Sequence, residues 1–211
     1  MTPTLNFRGN IGVIGNHQKL QSLRDAADIR GVESDGIPVK FVSGYNRLYP
    51  DDLLAEDAGG DTVERENVPY VEILGPPNSL VRPIEHVAET NHMSIMVRLV
   101  WNDFAMVMAG DAQMENWGAF DREGMLDGCD VLAAAHHGSK NGTQWERLQI
   151  LNPKVVIVSS DPLAQHDIPD AIGCAIFREY VNKRASSIVP MTHDTGTIEI
   201  EVKPTGSYKT Y

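Results

Sequence analysis

Basic residues are scarce in this chain. Eighteen Lys and Arg stand against 29 Asp and Glu, a formal charge of −11 at pH 7 over 211 residues. A surface so acidic excludes a broad, non-specific grip on a phosphate backbone, which needs clustered Lys and Arg. A bound divalent cation would reverse the sign locally, so phosphate chemistry confined to one point stays open. Cysteine is nearly absent as well: Cys129 and Cys174 are the only two. They form no disulfide framework and no Cys-x-x-Cys zinc pair, and read as buried free thiols in a reducing compartment, with the cytoplasm as the expected location. No run approaches the roughly eighteen apolar residues of a membrane span. The stretch Met1–Arg8 lacks the apolar core of a signal peptide. No glycine-rich loop ends in Gly-Lys-Ser/Thr, and Ser139 lacks the Gly-x-Ser-x-Gly setting of a hydrolase nucleophile.

What is present is an ordinary globular composition, 42% hydrophobic and 22% charged, with no repeat and no linker. It fits one domain over 1–211. Apolar periodicity predicts a helix over 17–30 (Leu20, Leu23, Ala26 or Ala27, Ile29), stopped by Gly31, and a short strand over 36–42. An acidic loop over 44–67 carries Glu56, Asp57, Asp61, Glu64 and Glu66 without the spacing of a calcium loop. A strand over 69–74 leads to a polar linker containing His86. Strands over 94–101 and 104–109 make a hairpin about Asn102-Asp103. Helices are expected over 113–125, 143–150 and 169–183, and strands over 130–135, 153–160, 186–190 and 197–202. Hairpins mixed with strand–helix–strand units imply an α/β layered fold with a mixed sheet.

The chemistry gathers where buried strands stop. Phe104–Ala109 ends in Gly110-Asp111, and Val131–Ala135 ends in His136-His137-Gly138-Ser139. Neighbouring strand ends deliver such residues to one sheet edge, where a carboxylate and an imidazole can share a metal ion. Asp111 also suits the N-cap of the helix that follows, a role compatible with metal binding. On an extended backbone His136 and His137 point to opposite sides, so at most one is a direct ligand. Gly138 and Ser139 let the chain turn sharply and leave the edge open. His92 precedes the hairpin, and His166 follows a buried strand; each is a ligand candidate or a surface residue. His193 reads as a turn residue, and His17 and His86 as surface positions.

In this order the segments resemble the metallo-β-lactamase-fold hydrolases, above all the soluble hydrolase domain of competence-type DNA-uptake channel proteins. The segments are Asn91-His-Met-Ser94, Gly110-Asp111, His136-His-Gly-Ser139, His166-Asp-Ile-Pro169 and Thr192…Gly196, and the match covers about 70–203. The resemblance implies an αββα-type layered sandwich and a metal-dependent hydrolase, of phosphodiesterase or nuclease type, using one or two zinc or manganese ions. Asp111 and His137 would be catalytic. Asp111 would bridge ions, with His137 or His136, and His92, as further ligands, and Asn91, Ser139 and His166 would surround the substrate. The family's His-x-His-x-Asp-His signature is absent. The chain therefore reads as such a domain begun part-way through, with an incomplete metal site. A companion chain or a second copy would then supply what is missing, or a single zinc would suffice. The competing reading is a non-catalytic domain retained as a binding module.

Overall fold

The computed structural model describes residues 46–48 (backbone only), 67–75, 90–142, 144–160, 168–184 and 187–211. The expected helix over 17–30, the strand over 36–42 and His17, His86 and His166 lie outside the described residues.

The alternation of buried and less buried positions along the strands builds a mixed α/β structure. Its six-stranded sheet has the order β1-β2-β3-β4-β5-β6. Strands β1 (Asn46–Leu48), β2 (Tyr70–Ile73), β3 (Val97–Trp101) and β4 (Phe104–Met108) form an antiparallel meander. Strand β1 falls inside what the sequence suggested was a continuous acidic loop. Its residues Asn46-Arg-Leu carry no alternation, so their pairing with β2 has no local signal. The β3–β4 hairpin turns at Asn102-Asp103 as expected, with Asn102 at φ 50°. Asparagine tolerates that left-handed backbone in place of the preferred glycine.

Beyond β4 the pairing becomes parallel. Strand β5 (Val131–Ala133) joins β4, and β6 (Val155–Ile157) joins β5. Parallel neighbours need crossovers, and helices α1 (Met114–Arg122) and α2 (Trp145–Leu151) provide them. Helix α3 (Ala171–Asn182) follows β6. The chain then returns beside β6 through parallel bridges at Ile188 and Met191; among the described residues, the strand expected over 186–190 is reduced to the bridge at Ile188. Parallel pairing therefore sends β4, β5 and β6 out at the same edge.

Side-chain alternation sorts the two faces. Val100, Ala105, Val107, Leu132 and Val156 share a core with Trp117 and Phe120 of α1, Leu148 and Leu151 of α2, and Phe177 and Tyr180 of α3. On the opposite face Phe104, Val131 and Val155 are covered by a hairpin of β7 (Ile200–Val202) and β8 (Tyr208–Thr210). There the Tyr208 ring meets Phe104 edge-on at 5.2 Å. Strand β8 was not foreseen, because Tyr-Lys-Thr is short and polar at its centre. Its partner β7 retains only the end of the alternating run from 197. The layers are thus helices, mixed sheet and hairpin. Among the described residues no helix is long and apolar enough to cross a membrane.

Both cysteines are free and buried. Burial pushes the Cys129 thiol up to about 12 and raises Cys174 as well. The thiolate is the reactive form, so neither is expected to react with a disulfide reagent at pH 8 in the native protein, whereas two equivalents should react in guanidinium. Rapid native labelling of Cys129 would contradict its burial.

Candidate active site at the carboxyl edge of the parallel strands

Gly110-Asp111, His136-His137 and Ser159-Ser160 stand in a row where β4, β5 and β6 release the chain, the place where open α/β sheets form ligand clefts. Gly110 has φ 56°, and its carbonyl accepts from the His136 backbone N–H at 2.9 Å, tying the ends of β4 and β5 together. The chain after Gly110 does not use Asp111 as a helix cap. The N-cap of α1 is Gln113, whose N–H donates to Asn116 Oδ1 at 3.0 Å. Fully buried Asn116 also donates to the His92 carbonyl at 2.7 Å, so one amide side chain holds both the helix start and the 3-10 turn Thr90–Met93. The Asp111 carboxylate is left half exposed and free of capping duty.

His136 and His137 are not extended, as the sequence reading assumed. They lie in the tight turn Ala135–Gly138 with φ 50° and 54°, and Gly138 follows at φ 78°. Left-handed residues in succession are costly for L side chains, and such strain concentrates at functional positions. The turn is held by close backbone packing. A Cβ on Gly142 would lie 2.5 Å from the Ala135 carbonyl oxygen, and one on Gly173 would lie 2.1 Å from that of Gly138. Small residues at these two positions let α3 and the 139–142 segment press against the histidine turn.

The result is one defined pair. His137 Nε2 faces Asp111 Oδ1 at 3.9 Å, with both side chains about half exposed. His137 Nδ1 lies 3.0 Å from the Ser159 carbonyl oxygen. A carbonyl can only accept, so Nδ1 carries the proton. In the neutral ring Nε2 therefore presents its lone pair to a carboxylate. Two electron-pair donors facing each other across 3.9 Å present a place for a metal ion, a proton or a water that donates to both.

The donor chemistry suits a divalent ion. Metal-binding imidazoles characteristically donate their other N–H to a carbonyl or carboxylate, and a zinc about 2.0–2.2 Å from each ligand would need the two atoms only slightly closer. The ligand count is short. Among the described residues no group of three His, Cys, Asp or Glu converges. His92 turns instead to Glu115 on the first turn of α1, 3.4 Å away. His136 is part-buried, and its buried Nδ1 has no hydrogen-bond partner among the described residues. Asn91 sits in the His92 turn, where its carbonyl accepts from Ser94 N–H at 3.0 Å. Ser139 follows the histidine turn, and its Oγ accepts from Asn141 N–H at 3.3 Å.

Sequence reading gave Ser159 no role, and named Thr192 only as the start of the Thr192…Gly196 segment. The hint available was that a third buried strand, Val155–Val158, stops in two serines at the same edge as the others. Nothing in the sequence indicates that the chain returning at 190–192 pairs with them. No protein-family model matches the chain, and no curated protein matches it.

Proposed function

We propose that the chain is a metal-dependent hydrolase domain of metallo-β-lactamase type, with Asp111 and His137 holding a zinc or manganese ion. The observation that carries this reading is the His137 ring, fixed by the Ser159 carbonyl so that its Nε2 lone pair meets the Asp111 carboxylate. Supporting it are the strained turn that presents the ring and the freedom of Asp111 from capping. A bound ion would lower the pKa of a water ligand toward about 7 and polarise a scissile phosphoryl group. The chain's own residues would orient the ion and keep the edge open.

A phosphodiester is the proposed substrate, following the resemblance of the strand-end motifs. With so few basic residues elsewhere, its charge would be met by the ion and by exposed Lys140 beside the turn. Two protein ligands leave positions for water, for a residue outside those described, or for a companion chain or second copy.

The test is metal content after chelator stripping and reloading with zinc or manganese, alongside hydrolysis of bis(p-nitrophenyl) phosphate. One equivalent of metal, lost in an Asp111→Ala/His137→Ala variant together with metal-dependent turnover, is expected. If the wild type retains no more metal than the double variant, the hydrolase reading falls and a non-catalytic binding domain takes its place.

A further inference from the structure

The peptide unit that orients His137 is itself held from its other end. Ser159 C=O and Ser160 N–H belong to one planar trans amide, so they point in opposite directions. The carbonyl meets His137 Nδ1 at 3.0 Å, and the N–H donates to Thr192 Oγ1 at 2.8 Å. The same hydroxyl donates to the Ser160 carbonyl at 3.0 Å. Thr192 thus bonds the peptide units on both sides of Ser160. Its own backbone is anchored, since Thr192 N–H donates to the Val158 carbonyl at 3.0 Å and Val158 N–H donates to Pro190 at 3.0 Å. The helical turn Thr192–Thr195 adds His193, whose Nδ1 shares a 2.5 Å hydrogen bond with Ser160 Oγ.

We propose that Thr192 is a positioning residue for His137, acting through the rigid Ser159–Ser160 peptide to fix which imidazole nitrogen carries the proton. Rotation of that amide would turn the Ser159 carbonyl away from Nδ1. Left in water, the ring would exchange between tautomers, and Nε2 would face Asp111 as a lone pair only part of the time. The threonine hydroxyl prevents this by holding both the N–H of the peptide and the carbonyl of the next one. The inference deepens the metal-site reading, but its primary readout needs no metal.

The experiment is long-range 1H–15N correlation of the histidine rings in the metal-free full chain, recorded above about pH 8, where an ordinary imidazole is neutral. His137 is assigned by its loss in His137→Gln. The wild type should show His137 protonated at Nδ1 alone. Thr192→Val, which keeps the shape and removes both hydrogen bonds, should give mixed tautomers and a roughly tenfold or greater loss of zinc affinity. Thr192→Ser should restore the wild-type pattern, and His193→Ala, which leaves the peptide's own bonds intact, should preserve it. Should Thr192→Val fail to fold, Thr192→Cys, of similar size and a weak donor, carries the same comparison. A wild-type ring protonated at Nε2, or a Thr192→Val (or Thr192→Cys) protein that keeps a pure Nδ1–H ring, overturns the proposal. An Nδ1–H ring lost in Thr192→Val in a protein that binds no zinc supports the positioning role and defeats the metal reading instead.

Discussion

Gly173→Ala is expected to destabilise the protein by about 3 kcal/mol, at the upper end of ordinary overpacking, and to dislocate the histidine turn. Gly173 is buried in the first turn of α3, and a Cβ there would lie 2.1 Å from the Gly138 carbonyl oxygen and 3.2 Å from the Ser139 carbonyl carbon. Both obstacles are backbone, so no side-chain rotation relieves them. The helix cannot easily retreat, because Asp170 caps it through Ile172 N–H at 2.7 Å and Phe177 is 1% exposed beneath it. Nor can the turn retreat, since a Cβ on Gly138 would already crowd Val158 Cγ1 at 3.1 Å. Urea denaturation measures the loss. Gly118→Ala in α1 is the contrast: its Cβ would meet only the flexible end of Arg122 at 3.3 Å. There the helix propensity of alanine should leave stability unchanged or raise it by roughly 0.5–1 kcal/mol. A Gly173→Ala protein within about 0.5 kcal/mol of wild type, the usual range for a featureless surface change, would show that the helix and turn are not in this contact.

That contact could not be read from the sequence, and the reason is instructive. The alternation of Phe104–Met108 and the apolar runs at 131–133 and 155–157 announced three buried strands and their common edge. The positions of Asp111 and the histidine pair followed from that alone. The conformation of the pair did not. Two histidines after a strand look extended, whereas their left-handed turn packs closely against Gly142 and Gly173, residues that no local pattern ties to it. Capping was misread for a similar reason. Aspartate is the better intrinsic cap, but buried Asn116 offers the helix start an amide that also fixes the His92 turn, and the cap moves to Gln113. The peptide held between Thr192 and His137 joins residues far apart in sequence through backbone atoms, which carry no sequence signal at all.

The displaced cap separates the two roles Asp111 could have, and Asp111→Asn tells them apart. Asparagine caps helices about as well as aspartate, so a capping Asp111 would tolerate the change in every respect. An ion ligand would not, because the isosteric amide removes the negative charge while keeping the shape. With Gln113 and Asn116 already serving the helix start, metal-free stability should shift by no more than about 0.5 kcal/mol, as for other exposed positions. Zinc affinity should fall about a hundredfold, roughly 2.7 kcal/mol. The loss would also appear as linkage. Free zinc at about one hundred times its dissociation constant should stabilise the wild type by roughly 2.7 kcal/mol, and the variant by well under half of that. Denaturant titrations with and without zinc read both quantities on the same samples. If zinc stabilises the two proteins equally, the ion binds elsewhere. The Asp111–His137 pair is then a polar contact at the strand ends rather than a metal site.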